Sequence, residues 1–385
     1  MMGEANPQRA FFYNISLETF VPVDHPLRAI RPLIDDGAIR RACRELYAPI
    51  GRPSIPPEPL FLALVGGYLL GVTSDRKLVT ELHCNMAWRW FVGLNLDEQP
   101  WDASTFSQNR RRRFDESGIL ERLFDATVAR AMAEGLVSRH VSADGTLVRA
   151  NASDKSFLPI EVALAPEDYK RRLRAQDRTD SEGPQDPGNR AVNFRGEKRG
   201  NATHRSVTDP DGRFVSKGAS GTGAYPGYTV NAVMETRHRI LLGLDAEIFR
   251  SSASETGGCL ALLRRARRRF RFHPTTLGAD KGFFVRAFIE ALLRQGIAPH
   301  IAAEPRGRQP AHTRVRMRRR GLGYQLAQRC RKTIEELFGE GKDWHGLRRF
   351  RRRGLHRVRQ ETYLIGWGLN LKRLAKLLAP HLQPV

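Results

Sequence analysis

Three acidic residues stand where an acid can do chemistry. Asp144 and Asp280 each close a short apolar run and are followed within two residues by glycine, in Ala143-Asp144-Gly145 and Ala279-Asp280-Lys281-Gly282. Acids at such strand ends gather along one edge of a sheet. Glu335 falls in a segment of helical spacing, where Ile334, Leu337 and Phe338 form an apolar face and Glu335 lies at its margin. Taken singly, Asp-Gly is a common turn, and an acid at a strand end is structural more often than catalytic. Three converging carboxylates are another matter, because like charges at close range force one of them to protonate unless a cation offsets them. Magnesium suits that role, since it prefers carboxylate and water oxygens and keeps positions open for phosphate; manganese is its usual substitute. Two such ions can activate a water or a 3′-hydroxyl and stabilise the leaving oxygen of an in-line displacement at phosphorus. Neither a catalytic histidine, a covalent nucleophile nor an organic cofactor is then required.

The elements around these acids divide the chain. Residues 1 to about 135 read as helices, with apolar residues at helical spacing over Pro57 to Leu70, Ser74 to Cys84, Met86 to Leu94 and Ile119 to Ala133. Ser74-Asp75 is a candidate N-cap, and the segment around Gly71 is either the turn of a helix-turn-helix or part of a plain bundle with Trp88, Trp90, Phe91 and Trp101 in its core. Strand-like alternation begins at Val137 and runs through Asp144. A hairpin follows over Tyr228 to Glu235 and Arg239 to Ile248, then a helix from Ser254 to Arg268, a strand from Thr275 to Asp280, a helix from Phe284 to Gln295 and a strand from Ile297 to Ala302. Arg306 to Arg320 reads as a basic loop and Arg329 to Gly339 as a helix. Asp177 to Arg195, polar and poor in apolar residues, reads as a mobile loop or insertion within a weakly patterned stretch at about 154–200. The expected organisation is an all-α domain over 1–135, an α/β catalytic domain over 136–345, and a basic helical segment over 346–385 that packs on it.

Composition points to a polyanionic partner. The 64 Lys+Arg against 41 Asp+Glu leave a formal charge of +23. The last 85 residues hold 21 Lys+Arg and 6 Asp+Glu, so much of that charge is concentrated at one end. Arg110 to Arg113, Arg264 to Arg271, Arg314 to Arg320 and Arg348 to Arg359 are the runs that could neutralise phosphates. Four cysteines, Cys43, Cys84, Cys259 and Cys330, show neither zinc-ribbon spacing nor a disulfide framework, which fits a reducing cytoplasm. The longest apolar run, Leu60 to Val72, is too short to span a bilayer and contains two adjacent glycines, and no signal-peptide layout opens the chain.

The three acidic segments together resemble bacterial insertion-sequence transposases of the DDE class. Ser142-Ala-Asp144-Gly-Thr-Leu-Val-Arg-Ala-Asn151-Ala-Ser resembles the family's first-aspartate segment, and Leu277-Gly-Ala-Asp280-Lys-Gly-Phe283 its second. Arg331-Lys-Thr-Ile-Glu335-Glu-Leu-Phe338-Gly-Glu-Gly-Lys342 matches the Arg, Glu and Lys of the Tyr-x2-Arg-x3-Glu-x6-Lys signature, with Gln328 in place of the tyrosine. Glu336, one residue off the motif, is the rival for the metal role. Gly51-Arg-Pro-Ser-Ile-Pro-Pro-Glu-Pro59 through Asp102-Ala-Ser-Thr-Phe106 resembles the family's helical N-terminal domain, and Thr203-His-Arg-Ser206 with Asp209-Pro-Asp211 the stretch after its variable loop.

The resemblance implies a ribonuclease H-like mixed sheet of five strands with flanking helices. It implies Asp144, Asp280 and Glu335 as catalytic metal ligands and Arg331 and Lys342 as DNA contacts. Arg110, Arg111, Arg348, Arg349, Arg351, Arg352 and Arg353 are then further backbone contacts. The partners would be double-stranded DNA, as element ends and as target, and a second copy of the chain to pair two ends. Two alternatives share many of these features: a non-catalytic DNA-binding protein, for which the acids are dispensable, and a nuclease with the same metal site and no joining activity.

Overall fold

The computed structural model describes residues 15–51, 54–160, 193–194, 197–198, 200–216, 223–251, 254–303 and 309–378. Its sheet is built on five strands: β1 (His140–Arg149), β2 (Tyr225–Glu235), β3 (Leu241–Glu247), β4 (Thr276–Ala279) and β5 (Ala298–Ile301). They lie in the order β3-β2-β1-β4-β5. β2 runs antiparallel to both β1 and β3, whereas β4 runs parallel to β1 and β5 parallel to β4. That is the ribonuclease H-like arrangement the resemblance implies. One strand is additional: Arg213–Val215 pairs antiparallel with the start of β2.

Helices α1 (Pro57–Leu69) and α2 (Ile119–Ala133) pack on α6 (Leu355–Leu378), which with α3 (Ser254–Phe270), α4 (Arg286–Arg294) and α5 (Leu322–Trp344) packs on the sheet. The N-terminal group also includes shorter helices, among them Asp75–Cys84, Met86–Val92 and Ala103–Asn109. The two adjacent glycines of α1 are there for contact. A Cβ at Gly66 would lie 2.7 Å from Trp88 Nε1, and one at Gly67 2.6 Å from the Val72 carbonyl. Trp88 and Phe91 are fully buried, Trp90 and Trp101 partly so, which makes all four members or neighbours of the core. The turn at Gly71 has a φ of +75°, and Ser74 occupies the N-cap position of the next helix without a side-chain cap bond.

The basic stretch expected to be a loop is partly helix. Pro310–Arg318 is helical, because Ala311 and Val315, four residues apart, bury one stripe among the arginines. α5 begins at Leu322, earlier than its apolar pattern suggests, because its first turns lie exposed and leave no apolar period. The expected loop at about 154–200 falls mostly outside the described residues; within them, Phe157–Pro159 pairs with His204–Ser206.

α6 joins the two parts of the molecule. It is apolar around most of its circumference, as a helix enclosed on all sides must be, and it packs against α1, α2 and β3. Gly366 lets it approach α2, since a Cβ there would lie 3.0 Å from the Phe124 ring. Buried Asn370 fixes its register: Oδ1 accepts from Leu241 N at 2.9 Å, and Nδ2 donates to Leu241 O at 3.0 Å and to Thr127 Oγ1 at 3.1 Å. Asn370→Ala orphans both peptide groups of Leu241, so a loss of roughly 3 kcal/mol is expected in urea unfolding, against about 1 for Thr127→Val. Equal losses would mean that the Leu241 peptide does not depend on Asn370.

Candidate active site

The register between β1 and β4 sets the site. Ser142 pairs with Gly278 across this parallel ladder, so two residues further on Asp144 and Asp280 stand level and on the same face. Asp144 is half-buried within β1, and its Oδ1 accepts from Gly145 N at 2.8 Å. Asp280 ends β4 and caps the single turn Lys281–Phe283, with Oδ1 accepting from Gly282 N at 2.9 Å.

α5 crosses this face of the sheet. A Cβ on Gly278 would come within 3.1 Å of the Ala327 carbonyl, so glycine is what lets the helix lie against β4. Gln328, where the family motif has tyrosine, tethers it there: its Nε2 donates to Ala279 O at 3.2 Å and to His300 O, at the carboxyl ends of β4 and β5. Arg331 and Glu335 are one turn apart, and Lys342 lies eleven residues beyond Arg331, about three turns on the same side. Arg331 Nη1 contacts Glu335 Oε1 at 2.6 Å. Lys342 Nζ donates to Thr146 Oγ1 at 2.5 Å, two residues past Asp144 on the same face.

The carboxyl of Asp144 registers this crowding. It is pushed up to about 6, first by burial and then by the nearby charges of Asp280 and Glu335; the Gly145 N–H and Arg331 oppose the rise. Glu336 turns elsewhere, to Arg239 at 2.9 Å. As arranged, no three His, Cys, Asp or Glu side chains among the described residues converge closely enough to hold a metal ion. The donor set nevertheless fits a hard divalent cation. All three acids offer oxygen, and the charge they accumulate beside Asp144 is opposed by a single guanidinium, itself engaged with Glu335.

The arginines fall into two groups. Arg110 pairs with Asp75 at 2.7 Å and Arg352 with buried Asp115, so both are committed inside the molecule. Arg113 stacks on Tyr47 at 4.3 Å. Arg111, Arg349 and Arg351 are exposed; Arg348 is exposed but paired with Asp343, and Arg353 Nε reaches Asn151 O at 2.9 Å. The backbone beneath Arg348 to Arg353 is pinned by buried acceptors that composition does not reveal. Glu361 takes Arg351 N and Arg352 N, each at 3.0 Å, as well as the Tyr68 hydroxyl at 2.9 Å. Asp209 takes Gly354 N at 2.9 Å, and Asp211 takes Leu355 N at 2.8 Å. Arg149 N donates to Arg348 O and Phe350 N to Arg149 O, which joins the loop to the end of β1. Arg149 lies five residues beyond Asp144, about 16 Å along the strand.

Two family models match the chain. Residues 15–112 match a transposase domain (DUF772), and residues 168–371, which include Asp280 and Glu335 but begin after β1, match the transposase DDE domain. No curated protein matches the chain. Among solved structures, a pre-cleavage Mos1 transpososome is 11% identical with a TM-score of 0.20, over 88% of this chain and 83% of that one. The Mos1 mariner paired-end complex with Mn is 11% identical with a TM-score of 0.19, over 76% and 80%. The DDE model alone spans more than half of the 385 residues, and the chain therefore belongs to the DDE transposase family.

Proposed function

We propose that this transposase binds the ends of an insertion sequence and uses Asp144, Asp280 and Glu335 to hold two divalent ions, Mg²⁺ or Mn²⁺, for phosphodiester cleavage and strand transfer. The observation that carries the reading is the level placement of Asp144 and Asp280 on adjacent parallel strands, with Glu335 near enough to raise the Asp144 carboxyl. When bound, the ions would activate the attacking oxygen and stabilise the leaving one.

The chain's own residues do the rest. Asp144 and Asp280 each keep one oxygen on a neighbouring N–H, which fixes the carboxylate plane and leaves the second oxygen for a cation. Glu335 is the ligand that has to move, from Arg331 to the metal. A phosphate beside Arg331 would compensate that guanidinium as Glu335 leaves it, so substrate and cation bind more tightly together than apart. Lys342 stands over Thr146 to take a further phosphate, and Arg111, Arg349 and Arg351 extend the track along the backbone of duplex DNA. Pairing two element ends calls for two copies of the chain.

The Arg331–Glu335 pair also favours a second reading, a non-catalytic DNA-binding protein in which that pair is simply structural. Among the described residues no helix is long and apolar enough to cross a membrane, and both readings are compatible with that.

Calorimetry separates them. With end DNA present, Mn²⁺ binding is expected to be lost in Asp144→Asn, Asp280→Asn and Glu335→Gln, while DNA affinity measured without metal weakens less than about threefold because none of these removes a phosphate contact. Metal binding retained in all three would favour the non-catalytic reading. Cleavage and joining should fall at least a thousandfold in Asp144→Asn, roughly 4 kcal/mol of transition-state stabilisation.

The Asp144 shift also sets a pH dependence. Its folded carboxyl lies above the ordinary value, so the metal-free protein binds a proton there that the unfolded chain releases. The charged form therefore costs stability, fully above pH 6 and not at all below the ordinary value near 3.8. Asp144→Asn is expected to raise the melting temperature of metal-free protein at pH 8 and leave it unchanged at pH 3.5. Metal affinity of the wild type should decline as pH drops below 6; a flat profile between pH 7 and 5 would remove Asp144 from the metal site.

A further inference from the structure

The arginines of α3 split between two tasks. Arg265 and Arg269 turn toward α2: Arg265 reaches Glu121 at 2.8 Å and Asp125 at 2.6 Å, and Arg269 reaches Asp125 at 2.7 Å. Of the other four, Arg264, Arg267 and Arg268 are spaced i, i+3 and i+4 along one stripe, and Arg271 follows just past the helix end, where its φ is +53°. All four are exposed, and among the described residues none pairs with an acid; Arg264 makes one bond, to Leu260 O at 3.3 Å in its own helix. Cys259, Leu262, Leu263 and Ala266 are buried on the sheet side of α3, so Arg264 and Arg268 face away from the sheet and Arg267 lies at the flank. Like charges at these spacings weaken a helix. The helix dipole favours cations in the last turn, where Arg267 and Arg268 lie, but Arg264 stands a turn earlier. A polyanion laid along the stripe offsets the repulsion of all four.

The sheet separates this stripe from the acids. A Cβ at Gly145 would meet Glu255 Cγ of α3 at 2.7 Å, so α3 covers the face of β1 opposite to that of Asp144. α5 covers the Asp144 face, through Gly278 against Ala327 and Lys342 against Thr146. α3, the sheet and α5 are three layers, each roughly 10 Å thick. A straight duplex held at the acids does not reach the outer surface of α3.

We propose that the α3 stripe is a second surface for duplex DNA, engaging the phosphates of a segment other than the one held at the carboxylates. The inference rests on the reading of the chain as a DNA-binding transposase. Exposed guanidinia on an outward helix face suit backbone phosphates, which every duplex presents alike. A protein that holds two duplexes on opposite faces can bring a second DNA near the first without displacing it.

A bridging experiment tests this. Wild-type protein is saturated with one immobilised duplex, washed, and offered a fluorescent duplex of unrelated sequence over a salt series. The variant combining Arg264→Gln, Arg267→Gln, Arg268→Gln and Arg271→Gln is expected to keep the first affinity within about threefold. Its capture of the second duplex should fall at least tenfold, with a log–log salt slope shallower by roughly 3 to 4. The four-lysine variant, which keeps the charge, should retain capture and guards against a folding defect. Second-duplex capture that is absent in the wild type, unchanged in the glutamine variant, or lost equally in the lysine variant would overturn the stripe. Failure of the wild type to bind even the first duplex would instead overturn the DNA reading beneath it.

Discussion

Placing two carboxylates side by side on neighbouring strands is the constraint from which the rest of the structure follows. The parallel pairing of β1 with β4 puts Asp144 and Asp280 at one level, where the charge of Asp280 adds to the burial that raises the Asp144 carboxyl. The surrounding chain supplies compensation for that placement. Backbone N–H groups provide part of it without carrying full charge, from Gly145 to Asp144 and from Gly282 to Asp280. Arg331 provides the remainder from α5, and α5 is close enough because Gly278 has no side chain and Gln328 ties the helix to the strand ends. Ligand placement, helix approach and the glycine in β4 are thus one problem with one solution.

The same logic runs through the basic half of the molecule. A chain with a charge of +23 has to decide which arginines stay inside and which face out, and buried acids make that decision. Asp115 draws in Arg352, and Asp125 draws in Arg265 and holds the exposed Arg269 against α2. Glu361 acts differently, accepting from peptide N–H groups of Arg351 and Arg352 and from Tyr68. Burial pushes its carboxyl upward while those N–H groups oppose the rise. By holding the backbone and leaving the Arg351 guanidinium exposed, it shapes a basic loop without neutralising it.

Much of this was legible in the residues. The period-two runs around Asp144 and in the hairpin, the apolar run before Asp280 and the helical spacing of α2 and α3 all reflect local burial, and each appears close to where its pattern places it. Pro310–Arg318 was not legible, because two buried residues among many arginines make too weak a stripe to register as a period. The roles of Gln328, Asn370 and Glu361 were not legible either. Each depends on a partner far along the chain: His300 for the first, Leu241 for the second, and for the third Tyr68, nearly three hundred residues away. Polar clamps of that kind leave no periodic trace, since what they satisfy is backbone.

Arg110 and Arg352 carry the sharper lesson about charge runs. Both belong to uninterrupted arginine tracts, and in both cases the buried member differs from its exposed neighbours only in the direction its Cβ takes from the backbone. Charge in sequence is therefore an upper bound on charge presented to a partner. Direction also decides the reach of what is left. Arg349 and Arg351 lie on a loop joined to the end of the strand that carries Asp144. The α3 stripe has a comparable number of guanidinia but lies behind the sheet. Equal charge in the sequence thus becomes unequal function in the fold, and the sheet that aligns the carboxylates is also what divides the cations into two sets.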